Sequence, residues 1–151
     1  MILPPSYQAP WDPQRVLQAS PFLVDMGMRI LSLGTDGAVF ELPLTDRLGN
    51  AQGDMHGGVL ATLIDVACGF PARVVADDQD LIRAVTLTMS IEYLAPPRGP
   101  YVRALGRLTG GGRSIVFSRA EVLDADGRTV ALGSGSYKRL GASRTPQKQE
   151  K

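Results

Sequence analysis

The stretch from Gly57 to about Val75 constrains the fold more than any other part of the chain. Val59, Leu60, Ala61, Leu63, Ile64, Val66, Ala67, Cys68 and Phe70 leave it almost no polar face. A helix that is apolar nearly all round has to be enclosed by other elements. The stretch therefore predicts a buried central helix, with Pro71 expected to kink or loosen its second half. Between His56 and Arg73 the only charged residue is Asp65. A carboxylate on such a helix is costly unless it is paired, hydrogen-bonded or wetted by a cavity. The helix pattern alone leaves two roles open for Asp65: chemistry, or simple contact with solvent or a neighbouring subunit.

The flanking segments say what encloses the helix. Asp12-Pro13 reads as an N-cap followed by proline at the first helical position, giving a short helix to about Ala19 that Pro21 ends. Phe22 to Leu33 reads as a first strand interrupted by Gly27. Thr35-Asp36-Gly37 is a hairpin signal, with Val39 to Leu42 as the returning strand. Residues 43–54 are polar and glycine-bearing and read as a loop. Four strand-like segments follow the helix. In the first, 84–93, Val85, Leu87, Met89, Ile91 and Tyr93 alternate with Thr86, Thr88, Ser90 and Glu92, the pattern of a half-buried antiparallel strand. Pro96-Pro97-Arg98-Gly99-Pro100 breaks it. Segments 101–109, 114–124 and 129–138 complete the set, the last two joined at Asp126-Gly127. The fold class is α+β, one antiparallel sheet wrapped around one buried helix. The expected layout is an N-terminal extension with a short helix (1–20), one domain (21–140) and a polar, lysine-rich, disordered tail (141–151).

Charge and cysteine content narrow the function classes. A formal net charge of +1 gives no field that would hold nucleic acid or an anionic membrane. One cysteine excludes an internal disulfide, and one histidine with one cysteine argues against a zinc site, so no metal or cofactor is expected. The N-terminus lacks a basic segment followed by an apolar run, and no apolar stretch nears the roughly 18 residues that span a bilayer. The reading is a cytoplasmic protein.

Chemistry concentrates where the loop enters the helix, in Gly53-Asp54-Met55-His56-Gly57-Gly58. The first N–H groups of a helix have no internal partner, and the positive end of the dipole lies there. Glycine lets a ligand approach those amides, so the turn suits an oxyanion; the glycines equally suit a tight turn and nothing more. His56, the chain's only histidine, suits a cap as well as a catalyst. Cys68 reads as a small core residue.

The pattern Asn50-x-x-Gly53-x-x-His56-Gly57-Gly58 followed by Asp65 resembles the hotdog-fold acyl-CoA thioesterases of the phenylacetate-pathway and mammalian thioesterase-superfamily-member type. The likeness covers roughly residues 20–140. It implies that the Gly57 N–H polarises the thioester carbonyl and that Asn50 orients that carbonyl or the water. It implies that Asp65 acts as general base or nucleophile and that Thr86 on the following strand assists the water. It also implies that Asp65 faces the Gly57 region of a second copy, in a dimer or tetramer with sites at the subunit contact. Acyl-CoA is then the substrate, with Val59, Leu63, Phe70 and Met89 as apolar lining for an aryl or a medium to long acyl tail. Gly58 and the basic turn Gly110-Gly111-Gly112-Arg113-Ser114 are candidates for the CoA end, although the turn also reads as a plain hairpin. Arg98, Lys138 and Arg139 are weaker candidates, equally readable as solvated charges. Two rival readings stand beside this one. A hotdog hydratase or dehydratase would carry a different motif around its histidine. A non-catalytic acyl-CoA sensor would need a DNA-reading module, for which about 20 residues before the first strand leave no room.

Overall fold

The computed structural model describes residues 12–35, 37–74 and 81–140. The chain begins with α1 (Pro13–Gln18), whose cap is the Asp12 carboxylate accepting from the Gln14 N–H at 2.9 Å. Gln14 in turn donates to the Ile30 carbonyl, and Leu17 is buried, so this short helix is tied to the body of the domain.

The expected first strand over Phe22–Leu33 is corrected. Residues Pro21–Asp25 form a second helix, α2, and only Arg29–Leu33 form the strand β1. Pro21 sits at the first helical position, where its missing N–H is no loss, so it starts a helix as well as ending one. Gly27 stops it at φ +81°, with the Gly27 N–H bonded to the Val24 carbonyl and the Met28 N–H to the Leu23 carbonyl. That is a Schellman closure, with Leu23 and Met28 both buried beside it.

β1 pairs with β2 (Ala38–Pro43) as a hairpin. A loop holding a single 3₁₀ turn (Asp46–Leu48) leads to α3, Gly57–Arg73. Then come β3 (Arg83–Tyr93), β4 (Tyr101–Gly111), β5 (Ile115–Asp124) and β6 (Thr129–Leu140). The six strands form one antiparallel sheet in the order β1-β2-β4-β5-β6-β3. α3 packs against β2, β3, β4, β5 and β6. One sheet wrapped round one long helix is the hotdog architecture.

Pro71 does not break α3, which continues to Arg73. Proline has no N–H for the Ala67 carbonyl four residues back, but only the last turn lies beyond it. That carbonyl lies against β4 at Gly106, where an added Cβ would come within 1.8 Å of the Ala67 oxygen. A bare backbone at Gly106 is what lets the helix settle onto the sheet.

The expected half-buried alternation of 84–93 is also corrected. β3 is an edge strand, and Val85, Leu87, Met89 and Tyr93 are all more than a third exposed in the single chain. A bulge breaks its register with β6: Thr86 stands opposite Tyr137, but Thr88 opposite Ser136. The extra residue flips the alternation, as a bulge does. Ala84 and Ile91 therefore both pack towards the core although seven residues separate them.

Candidate active site at the waist of the central helix

Asp65 sits midway along α3, on the helix face left half-buried while Leu63, Ile64, Ala67 and Cys68 are wholly buried. Its Oδ1 accepts a hydrogen bond from the Thr86 hydroxyl at 2.9 Å and a longer one, 3.4 Å, from the Tyr137 hydroxyl. The bulge after Thr86 makes the first contact. In an unbroken alternation Thr86 would lie on the face opposite Met89 and Ile91, turned away from the helix.

Tyr137 is the residue that reading the sequence missed. It lies in β6 at 2% exposure, with its ring against Gly69, where a Cβ would meet the ring at 3.1 Å. Burial holds its hydroxyl far above the usual phenol range, reinforced by Cys68 and Asp65 nearby, so it stays protonated and can only donate to the carboxylate. A lone apolar-strand tyrosine gives no local signal; only the pairing of β6 with β3 brings it to Asp65. Burial pushes the Cys68 thiol up to about 12, partly offset by a hydrogen bond from Tyr137 and reinforced by the charge of Asp65. The thiol is therefore neutral at ordinary pH and no nucleophile.

The loop residues form a second cluster at the N-terminus of α3. His56 is the N-cap, its Nδ1 accepting from the Gly58 N–H at 2.9 Å. The Gly58 amide is thereby occupied. The Gly57 amide has no hydrogen-bond partner among the described residues, and Tyr93 packs beside it. Asn50 Oδ1 accepts from the backbone N–H groups of Gln52 and Asp54, folding the loop and leaving the amide nitrogen as a donor. Gly57 and Asp65 do not meet within one chain. Eight residues of helix separate them, roughly 12 Å along the axis.

The basic candidates divide. Arg113 and Ser114 lie beside Lys138 and Arg139, with the Arg139 N–H bonded to the Ser114 carbonyl. Arg98 lies at the other end of β4, an eleven-residue strand spanning roughly 36 Å, and cannot share a ligand group with them in one chain. Among the proposed lining residues, Leu63 is wholly buried and only Phe70 borders open space next to Asp65.

Two grooves open at Asp65. One, of about 310 Å³, runs between α3 and the start of β3. The other, of about 390 Å³, runs between α3 and the α1–α2 pair. A larger hollow, about 520 Å³, lies on the outer face of the sheet among Val39, Leu105, Arg107 and Glu121, on the side away from α3. It contains none of the groups gathered round Asp65. Among the described residues there is no cluster of three metal-ligating side chains, and no helix is long and apolar enough to cross a membrane.

Comparison with known proteins gives the family of the chain. The profile of the thioesterase superfamily matches residues 52–131, which take in the end of the loop, α3 and the strands β3 to β5. VNG_1336C of Halobacterium salinarum, an esterase by assignment, is 31% identical over 113 residues, covering 69% of this chain and 75% of its own. The medium/long-chain acyl-CoA thioesterase YigI of Salmonella typhimurium is 30% identical over 98 residues, 58% of this chain and 63% of YigI. The solved structure of the conserved protein PA5202 from Pseudomonas aeruginosa superposes with a TM-score of 0.76 at 33% identity, covering 85% of this chain and all of that one.

Proposed function

The chain belongs to the thioesterase superfamily and is a thioester hydrolase, and from that premise we propose that it hydrolyses acyl-CoA to free acid and CoA with Asp65 as the central carboxylate. The observation that carries this reading is the setting of Asp65: the one carboxylate of an apolar helix, held by two hydroxyl donors, bordering two grooves. Thr86 and Tyr137 restrict the carboxylate to one orientation, with Oδ2 left for a water or for the thioester carbon. The similarity to YigI supports an acyl-CoA substrate.

The carbonyl oxygen becomes an oxyanion during attack and needs a donor. The unpartnered Gly57 amide at the positive end of α3 suits that role, with Asn50 folding the loop that precedes it and His56 holding the turn. Its distance from Asp65 within one chain supports a donor that comes from a second copy. The reading is thus a homodimer or a higher assembly, in which α3 of one protomer brings Gly57 to Asp65 of the other. The exposed edge strand β3, with its apolar side chains, offers the surface for that pairing. Arg113, Ser114 and Lys138 suit the phosphates of CoA, whereas the guanidinium of Arg139 is already bonded to the Ala72 carbonyl.

Release of CoA from phenylacetyl-, hexanoyl- and palmitoyl-CoA, followed for the native protein and for Asp65→Asn, tests this. Turnover that falls by at least about a hundredfold in the variant is the expected result. Equal turnover in the two would remove Asp65 from the mechanism.

A further inference from the structure

Asp65 borders two grooves, and so does one other charged side chain. Arg73 lines the groove towards β3 and the groove towards α1–α2. Asp65, Gly69 and Arg73 follow one another at four-residue spacing, so they form one stripe of α3 about 12 Å long. Between the two charges the walls are partly apolar, with the Thr86 and Tyr137 hydroxyls in one groove and Ser20 and Thr62 in the other. Val66 and Phe70 border both grooves, Ala84 faces one, and Val16 and Leu23 face the other.

Arg73 is held in place by two contacts. Its Nε donates to the Ile82 carbonyl at 3.3 Å, and its guanidinium carbon lies 5.2 Å from the centroid of the Phe70 ring. These fix the plane of the group and leave its terminal nitrogens to donate. Among the described residues no carboxylate forms an ion pair with it. It is not spent on the end of the helix either, since Arg139 already donates to the Ala72 carbonyl at 2.8 Å. Burial lowers the pKa of Arg73 below the usual guanidinium value. Arg83, the first residue of β3, reaches the same groove from the sheet side.

We propose that Arg73 is the anion-recognising end of the acyl site, so that this enzyme prefers acyl groups carrying a terminal carboxylate. The inference rests on Asp65 being the reacting end of the site. A partly apolar run closed by a planar, doubly anchored guanidinium suits a methylene chain ending in a carboxylate, which takes two parallel N–H donors. A phosphate of CoA suits it less well. The pantetheine arm carries the pyrophosphate farther from the thioester than two helical turns, and Arg113 and Lys138 stand outside both grooves.

The test pairs substrates of equal length: adipoyl- against hexanoyl-CoA, and suberoyl- against octanoyl-CoA. The native protein is expected to show kcat/KM roughly ten- to a hundredfold higher for the dicarboxylic member of at least one pair. In Arg73→Met that ratio collapses towards one through a rise in KM for the dicarboxylic substrate, while Arg73→Lys keeps part of it. If Arg73→Met does not fold, Arg73→Lys and Arg83→Met must each lower the ratio in a protein whose circular dichroism matches the native. A native preference for hexanoyl and octanoyl over their dicarboxylic partners overturns the inference and leaves the thioesterase reading intact. So does an equal loss on both members of a pair in Arg73→Met, which would place Arg73 on the CoA part. If no CoA ester is hydrolysed, the thioesterase reading fails separately. Titration calorimetry on the Asp65→Asn protein then decides the inference: adipoyl- or suberoyl-CoA binding no tighter than its partner overturns it.

Discussion

At the scale of single residues, the proposed site consists of one carboxylate and the two hydroxyls bonded to it. The distances rank them. Thr86 at 2.9 Å makes an ordinary hydrogen bond to Asp65, whereas Tyr137 at 3.4 Å makes a weak one. Thr86→Val is therefore expected to lower kcat by about tenfold or more, and Tyr137→Phe by less. Steady-state kinetics on one acyl-CoA checks this, and a larger loss from Tyr137→Phe would reverse the assignment. Cys68 gives a prediction about stability. Its thiol is held up at about 12 in the folded chain, so between the ordinary thiol range and pH 12 the unfolded chain ionises and the folded one does not. The native state keeps the proton there, so stability falls as pH rises, by about 1.4 kcal/mol per pH unit from this group. Guanidinium unfolding at pH 8, 9 and 10 should show a slope that Cys68→Ala lacks. Asp65 could be singled out from its neighbours in the sequence, because a lone charge on an apolar helix is a local anomaly. Tyr137 could not, because nothing near it in the chain distinguishes it from a core residue.

At the scale of elements, the site depends on small irregularities. The bulge in β3 turns Thr86 inward, and Gly106 lets α3 approach β4. At Gly106 a Cβ would strike backbone, the Ala67 carbonyl at 1.8 Å, so the helix as a whole would have to move. Gly106→Ala is expected to cost about 3 kcal/mol or more. At Gly112 nothing lies within 4 Å and φ is not positive, so Gly112→Ala is expected to stay within about 0.5 kcal/mol of the native protein. Thermal melts of the two variants check the contrast. Element types were largely legible in the sequence: α3 from its apolar surface, the hairpins from their turn residues. The strand assigned to Phe22–Leu33 failed because apolar content outweighed the cap signals. Pro21 at a helix start and Gly27 at its end were present in the chain and describe α2.

At the scale of the whole molecule, two parts of the proposed site face a distance that one chain does not close. Gly57 and Asp65 are fixed about 12 Å apart by the helix they share. Gly57→Pro removes the amide proton at a position where helices accept proline. That variant and Asp65→Asn are each expected to be inactive alone. Mixed after unfolding and refolding together, they are expected to regain part of the native turnover, because a hybrid pair contains one site with Asp65 from one chain and Gly57 from the other. No recovery would place each site within a single chain. The sequence by itself determined the class of fold and the central helix, and it singled out Asp65, now proposed as the catalytic carboxylate, because hydrophobic period, turn residues and an isolated charge are local properties. The resemblance had already pointed to Thr86; only the tertiary structure decided that Tyr137 also reaches Asp65, where the grooves run and that Arg73 borders both. Those facts depend on the register between β3 and β6 and on how closely α3 lies to the sheet, and both are set by contacts between residues far apart in the chain.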